Sequence, residues 1–310
     1  MSRPTRQSQG GRIYLDLQNK ARREKRGTQE LLTLYVVERW LARLGRSQYV
    51  DDFVLKGGML LAAFGQRRPT VDADALARNL TRDEDAVASR VVEIAAVADP
   101  DDGVEYLTGT AKTSVIRDDA LYSGVRVVME ARIATAAVKL RIDVNFGDPV
   151  TPAPRLIELP SLRPESPSIR VLGYPVETVV AEKLTTAITL GPASTRVRDY
   201  ADLYTLAATQ TLDHRAVRAA LVATAQFRGT TLRPLSEVIG NLVDLRSATY
   251  LAYRRSLGRD GEHLPPRFGD LVAAVVAFAD PLVNADPAAG AWDLNLGSWM
   301  RRTGASELAQ

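Results

Sequence analysis

The sequence predicts a mixed α/β protein with two lobes: a sheet with covering helices, followed by a mostly helical C-terminal part. Residues 138 to 146, "VKLRIDVNF", alternate apolar and polar side chains, as a half-buried strand does. Residues 176 to 191 instead repeat apolar side chains with helical spacing. Between them, residues 149 to 167 hold six of the sixteen prolines, which excludes a helix or a central strand there. We therefore expect lobes at residues 1–165 and 166–310.

The N-terminal lobe should contain two further short strands. Residues 29 to 45 have the apolar spacing of one helical face, and residues 53 to 56 are short, apolar and β-prone. Gly57 and Gly58 then interrupt the apolar pattern before "MLLAAF", which predicts a strand, a tight turn and a helix. Residues 69 to 76 predict another strand, with Asp72 and Asp74 on one face and Val71, Ala73 and Ala75 on the other.

Composition is that of an ordinary soluble protein. Of the 310 residues, 45% are apolar and 25% are charged. The apolar stretch at residues 271 to 279 is far too short to cross a bilayer, so we expect no membrane partner. Residues 1 to 12 are polar and basic, which argues against a secretory signal. We expect a cytoplasmic protein.

The inventory of reactive side chains excludes several kinds of site. The chain has no cysteine, so disulfides, thiolate zinc sites and cysteine nucleophiles are ruled out. Its only histidines, His214 and His263, lie near no serine or carboxylate cluster. The available chemistry is that of carboxylates, hydroxyls, lysine and arginine. Hard oxygen ligands suit Mg²⁺, while lysine and arginine suit phosphate.

Three aspartates on predicted strands are candidate metal ligands. Asp143 stands on the polar face of the strand at residues 138 to 146. If this strand pairs with the strand that carries Asp72 and Asp74, about 4.8 Å away, three carboxylates converge on one face. Their mutual repulsion would raise their pKa values, and a divalent cation would compensate. Singly, each aspartate is better explained as an exposed strand residue.

A lysine and a small charged group mark the helices after the proline-rich segment. Lys183 falls inside the apolar stripe of the helix predicted over residues 176 to 191, where an ammonium needs an anionic partner. It should therefore reach into a cleft, unless it snorkels from the edge of the stripe. On the next helix, Arg198, Asp199 and Asp202 share the flank opposite the packing residues, where a surface salt bridge would explain them.

The overall charge gives little information about a nucleic-acid partner. A net charge of +3 is too small to indicate a polyanion. The basic segment "KARREKR", residues 20 to 26, fits a solvated helix face as well as it fits an arm that contacts nucleic acid. Both readings stay open.

Four segments together resemble the AbiEii/MenT nucleotidyltransferase toxins of the DNA polymerase β-like superfamily. They are "KGG…TVDADAL", "LRIDVNFGD", "ETVVAEKL" and "RVRDYADLY", in this order. Thirteen residues separate Gly58 from Asp72, which fits the superfamily spacing between its glycine motif and Asp-x-Asp. Arg198 stands where many relatives have lysine. The resemblance implies a polymerase β-like sheet in the N-terminal lobe and a C-terminal lobe that completes the cleft.

The resemblance also implies roles for individual residues. Asp72, Asp74 and Asp143 would be catalytic and would hold Mg²⁺, or Mn²⁺ in its place, while Lys183 would be the fourth catalytic residue. The nucleotide or its phosphates would be bound by a further set: Lys56, Gly57, Gly58, Arg198, Asp199 and Asp202. The substrates implied are a nucleoside triphosphate and the acceptor end of tRNA. Transfer to that end would block aminoacylation, and a cognate antitoxin would oppose the protein.

Two other functions remain open from the sequence. The same enzyme could transfer a nucleotide to a hydroxyl of a protein or a small molecule. A non-catalytic regulator that binds nucleotide or RNA is also conceivable, although the intact aspartate and lysine set argues against it. Thr70 should share the face of the aspartates. Strand propensity explains it best, and silencing by phosphorylation is a further hypothesis.

Overall fold

The structure is a computed structural model that describes residues 4–65, 68–118, 122–284 and 289–301. The first three residues of the polar N-terminal segment thus lie outside it. The chain packs as two units, one of Met1–Asp148 with Pro154–Tyr174, the other of Pro149–Ala153 with Pro175–Gln310. The lobe boundary expected after residue 165 stays a prediction.

A mixed sheet forms the first unit. Its strands are β1 (Phe53–Lys56), β2 (Ala73–Ala77), β3 (Val104–Asp118), β4 (Tyr122–Ile133), β5 (Ala136–Phe146), β6 (Arg155–Leu159) and β7 (Ile169–Gly173). Among the described residues they form one sheet in the order β3-β4-β5-β2-β1-β7-β6. The alternating strand at residues 138 to 146 is thus confirmed as β5, and it pairs in parallel with β2. Strand β6, which Pro154 and Pro160 flank, lies at the edge of the sheet, where missing N–H donors are tolerated.

Helices of the first unit leave one sheet face for the charged residues. They are α1 (Gln9–Glu24), α2 (Thr28–Leu44), α3 (Gly57–Leu60) and α4 (Glu84–Ala95). Helix α2 packs on β5 and β7, and its Trp40 meets Phe53 of β1 edge to face at 5.9 Å. Because side chains alternate along a strand, Lys56 points to the other face from Phe53. The apolar side chains of β5, such as Ile142, are fully buried.

The strand that carries Asp74 is shorter than the sequence predicts. It was expected over residues 69 to 76 but begins at Ala73, so Asp72 stands just before it. Val71 is 51% exposed, and its expected place on the apolar face was wrong. The physical reason is local: the Thr70 hydroxyl donates to Asp72 Oδ1 at 3.1 Å, which competes with ladder pairing. The tight turn expected at Gly57 is also absent from the described chain, since α3 begins directly at that glycine.

The second unit is mostly helical, as predicted. Its helices are α5 (Val176–Leu190), α6 (Val197–Thr209), α7 (His214–Phe227), α8 (Leu235–Val238), α9 (Leu242–Ser256) and α10 (Phe268–Asn284). Helix α5 packs on α6 and α7, and α10 packs on α6 and α9. The expected mixed α/β fold class is confirmed.

A small hairpin closes the described part of the second unit, and the sequence did not predict it. Strands β8 (Ala289–Asp293) and β9 (Ser298–Arg301) pair antiparallel. Trp292 of β8 and Trp299 of β9 stack around Phe278 of α10. The indole N–H of Trp292 donates to the carbonyl of Ala207 at 2.6 Å. Nowhere in the described ranges does a helix combine the length and the hydrophobicity of a membrane span.

Candidate active site

A row of four charged residues crosses the centre of the sheet. Lys56 is the Cα partner of Asp74, Asp74 that of Asp143, and Asp143 that of Arg126. Directly paired residues share a face of a sheet, so the four side chains lie side by side on the face opposite α2. The row runs cation, carboxylate, carboxylate, cation. Two like charges therefore stand next to each other at its centre, as predicted for Asp74 and Asp143.

The electrostatic cost of this arrangement is concentrated on Asp74. Burial raises the pKa of Asp74 from 3.8 to about 7, and the carboxylates of Asp72 and Asp143 add to the rise. The charges of Lys56 and Arg68 act in the opposite direction, but burial prevails. Near neutral pH, the ligand-free protein thus holds a carboxyl group that is about half protonated. A bound cation would favour its ionised form.

Asp143 is held by an arginine that sequence reasoning missed. Arg126 Nε donates to Asp143 Oδ1 at 2.7 Å, and Arg126 Nη2 donates to Asp143 Oδ2 at 2.6 Å. Hydrogen bonding to Asp143 raises the pKa of Arg126. The residues of β4 show no pattern that singles out Arg126. Only the β4–β5 register, which places Arg126 opposite Asp143, could have identified it.

Asp72 is half-buried and bonded to Thr70 rather than extended in a strand. Thr70 is 8% exposed, and its hydroxyl is engaged with the Asp72 carboxylate. Orienting Asp72 is therefore a more direct role for Thr70 than strand propensity, since Thr70 lies outside β2. Phosphorylation of Thr70 stays an untested hypothesis.

The glycine pair is explained by how closely it approaches the acidic residues. Gly57 has φ +67°, and a Cβ there would stand 1.9 Å from Asp74 Oδ2. At Gly58, a Cβ would stand 2.9 Å from Thr70 Oγ1. Only glycine leaves room for the carboxylate of Asp74 against this backbone. The glycine motif and the Asp-x-Asp motif are thus parts of one packed unit.

Lys56 lies at the end of the row, and a second acidic residue holds it. It is 8% exposed, its Nζ is 2.8 Å from Asp148 Oδ2, and it lies 5.3 Å from the ring centre of Tyr174. Its charge lowers the pKa of the neighbouring Asp74. Asp148 was not among the predicted site residues. An aspartate directly after Gly147 at the end of β5 was the available signal.

In the second unit, Lys183 lies between two carboxylates. Its Nζ is 2.5 Å from Asp199 Oδ1 and 2.7 Å from Asp202 Oδ2. Asp202 is only 3% exposed, so the predicted placement of this residue on a solvent flank with a surface salt bridge was wrong. Arg198 is exposed, and the described chain shows no ion pair for it. The expected anionic partner of Lys183 is thus a pair of aspartates from α6.

The carboxylate oxygens are suitable ligands for a divalent ion, but the carboxylates do not converge on one point in the described structure. Asp74 and Asp143 supply hard oxygen ligands on adjacent strands, and a cation would oppose the rise in the pKa of Asp74 that burial, and then the neighbouring carboxylates, cause. Across the ranges that the structure describes, no three acidic, histidine or cysteine side chains already form a metal-binding group. The Asp143 carboxylate is engaged by Arg126 instead. The residues present therefore fit Mg²⁺ as ligands once Asp143 is available.

Comparison with known proteins finds a matching family and similar solved structures. Residues 39–274 match the family model described as nucleotidyl transferase AbiEii toxin, type IV toxin–antitoxin system. Among solved structures, MenT4, a nucleotidyltransferase toxin from Mycobacterium tuberculosis H37Rv, is similar with a TM-score of 0.55 and 18% identity. That match covers 88% of this chain and 90% of MenT4. A candidate nucleotidyltransferase from H. pylori is similar with a TM-score of 0.45 and 16% identity, over 83% and 98% of the two chains.

These matches differ in what they support. A search of curated proteins gives no match. The likeness to MenT4 concerns the fold, given its low sequence identity. The family model covers most of the chain, including the sheet row and the Lys183 group. The chain therefore belongs to the AbiEii family of nucleotidyltransferase toxins from type IV toxin–antitoxin systems.

Proposed function

We propose that this protein is a Mg²⁺-dependent nucleotidyltransferase toxin that adds a nucleotide from a nucleoside triphosphate to the 3′ end of tRNA. The observation that carries the proposal is the pairing of Asp74 and Asp143 on adjacent strands, with Gly57 packed against Asp74. Such a transfer blocks aminoacylation. We further propose that it occurs in the cytoplasm and that a cognate antitoxin opposes it, as the type IV family implies.

In this reaction, the 3′ oxygen of the acceptor forms a bond to the α-phosphorus of the nucleotide. The bond from that phosphorus to the bridging oxygen of the β-phosphate breaks, and pyrophosphate leaves. Mg²⁺ would supply positive charge to the phosphates and would lower the pKa of the attacking hydroxyl. Asp72 and Asp74 are proposed to hold the ion on the triphosphate. Asp143 is proposed to help activate the attacking hydroxyl by accepting its proton as the new bond forms.

Cationic and small residues would complete the phosphate site. The main-chain N–H groups at Gly57 and Gly58 are proposed to contact the phosphates. Lys56 is buried in the charged row, where it can neutralise phosphate charge next to Asp74. Lys183 is proposed to neutralise the triphosphate as well. Its setting between two aspartates orients the ammonium.

The exposed Arg198 and the two aspartates of α6 have a separate proposed role. Asp199 and Asp202 fix the Lys183 ammonium in the ligand-free protein, and in the complex they would help to fix the nucleotide. Arg198 keeps the charge of the lysine found in many relatives. Its planar guanidinium would contact phosphate in a different geometry.

The direct test is incubation of the purified protein with Mg²⁺, total tRNA and each α-labelled nucleoside triphosphate in turn. Label should enter RNA, and Asp72→Asn or Asp143→Asn should lower transfer by about a hundredfold or more. Glu130→Gln is the matched control. It removes an exposed carboxylate from β4, opposite Lys139, and should retain full transfer.

Other outcomes of the same assay would favour a different function or refute the site assignment. Label in protein and none in RNA would favour the alternative acceptor. Binding of a nucleoside triphosphate without any transfer would favour a non-catalytic regulator. Transfer that survives Asp72→Asn would refute the site assignment.

A further inference from the structure

The ion pair between Arg126 and Asp143 occupies a carboxylate that the proposed metal site needs. Both oxygens of Asp143 accept a hydrogen bond from the guanidinium, at 2.7 and 2.6 Å. The Asp143 side chain is 8% exposed and the Arg126 side chain 35% exposed. A two-point pair of this kind is among the stronger charge-assisted contacts in proteins. The ligand-free protein therefore stabilises Asp143 without any metal.

In the sheet, the carboxylate of Asp143 is attracted by its neighbour on one side and repelled by its neighbour on the other. Arg126 is its partner on β4, and Asp74 is its partner on β2. The first is a cation and the second a like charge, so in the absence of other ions the Asp143 carboxylate is attracted toward β4. Sharing one ion with Asp74 requires that Asp143 give up at least part of its contact with the guanidinium. Two cations on one carboxylate would also repel each other.

Arg141 shows that this pairing is specific and not a general feature of a basic face. It lies two residues before Asp143 on β5, on the same face, and is half-buried. In the part of the chain that the structure describes, Arg141 is in no ion pair, and its Nε has no hydrogen-bond partner. Of these two arginines on the same sheet face, only Arg126 is paired with Asp143 in the described residues. Arg141 therefore supplies a matched control of equal charge.

We propose that Arg126 is a built-in counter-cation of Asp143, which a divalent ion must displace before the carboxylates can share that ion. Arg126 is a positioning residue, because it acts through Asp143. The inference rests on the proposed function only in taking these carboxylates as ligands of a divalent ion. A divalent ion then binds only as the Arg126 guanidinium releases the Asp143 carboxylate. In the absence of nucleotide, the protein therefore binds the ion less tightly than it would without Arg126.

The experiment measures Mn²⁺ binding to the full chain without nucleotide, by the electron paramagnetic resonance signal of free Mn²⁺. Arg126→Gln should lower the dissociation constant about tenfold or more, because the ion no longer competes with the guanidinium. Arg126→Lys keeps the charge but cannot bind both oxygens at once, and it should give an intermediate value. Arg141→Gln removes the same charge nearby and should change the constant by less than about threefold.

A double-mutant cycle makes the test specific to Asp143. In an Asp143→Asn background, Arg126→Gln should no longer tighten Mn²⁺ binding. Thermal melts in EDTA provide a second readout that shows whether each variant folds. Arg126→Gln should melt lower than the wild type in EDTA, and Mn²⁺ should raise its melting temperature more than it raises that of the wild type.

Unchanged or weaker Mn²⁺ binding by Arg126→Gln would overturn the inference, since Arg126 would then be neutral or would assist the ion. Tighter binding that persists in the Asp143→Asn background would overturn it too. Because no nucleotide or acceptor is present, these results are independent of transfer activity. Failure of the proposed function would appear separately, as the absence of label in RNA.

Discussion

Replacing Asp74 with asparagine should change the pH dependence of stability in the metal-free protein. Burial raises the pKa of this carboxyl from 3.8 to about 7, so folding favours its neutral form. The stability that the neutral form contributes is fully present below the unfolded pKa near 4. It is lost as the pH rises through the folded pKa near 7. Asparagine is neutral throughout and loses nothing in this window.

The expected size follows from linkage. Each pH unit between the two pKa values removes about 1.4 kcal/mol from the free energy of unfolding. Between pH 5 and pH 8, the wild type should therefore lose about 3 kcal/mol relative to Asp74→Asn. Most of that loss falls below pH 7, because the slope vanishes once Asp74 is ionised in both states.

Urea unfolding in EDTA at pH 5, 6, 7 and 8 measures this difference. The two stability curves should diverge toward high pH, with the asparagine variant the more stable protein there. Glu130→Gln, which removes an exposed carboxylate from β4, should follow the wild type at every pH. Parallel curves for the wild type and Asp74→Asn would refute the claim that burial holds a strained carboxyl in the sheet row.

Three further results are expected. Gly57→Ala should destabilise the protein by about 2 kcal/mol or more and weaken Mn²⁺ binding, because the new Cβ would stand 1.9 Å from Asp74 Oδ2. Gly65→Ala is the control, because Gly65 has φ +80° and open space around it, and it should lower the free energy of unfolding by only about 1 kcal/mol in thermal melts. Equal losses for the two variants would contradict the close contact between Gly57 and Asp74. Lys183→Ala should cost about 3 kcal/mol because it removes the cation that lies 2.7 Å from the buried Asp202, and adding Asp202→Asn should restore part of that loss; no recovery would argue against the pair. Mg²⁺ binding at pH 6 should release about 0.9 proton, measured by calorimetry in two buffers, and zero release would contradict the raised pKa of Asp74.

The fold was predictable where one physical pattern dominates a segment. Strict alternation identified β5, because one face of that strand is buried and the other is polar. Helical spacing over residues 176 to 191 identified α5, which the structure has at Val176–Leu190, directly after Pro175. The beginning of β2 was not predictable from alternation alone. There, the hydroxyl of Thr70 bonds the side chain of Asp72 and replaces the first ladder contacts.

Parts of the candidate site depend on strand register, which local sequence does not encode. Nothing in β4 distinguishes Arg126 from other arginines until the β4–β5 pairing places it opposite Asp143. The steric need for Gly57 likewise appears only when Asp74 is brought against it. Lys183 was recognised because it interrupts an apolar stripe, yet its partners come from a different helix. The roles of all these residues in catalysis stay predictions.

Three charged groups among the predicted site residues have partners of opposite charge in this structure. Lys56 is paired with Asp148, Asp143 with Arg126, and Lys183 with two aspartates of α6. Pairing within the protein lowers the free-energy cost of burying these charges. In the proposed function, substrate or metal would replace one partner. The site is thus charged and yet stable without ligand.

The proposed transfer of a nucleotide to tRNA is tested most directly by following label into the 3′ end of tRNA. Intact tRNA and tRNA whose terminal ribose has been oxidised with periodate should be incubated with the protein, Mg²⁺ and an α-labelled nucleoside triphosphate. If the proposed function is correct, label enters intact tRNA only, and none enters it with Asp74→Asn. Equal labelling of oxidised tRNA, or undiminished transfer by Asp74→Asn, would contradict it.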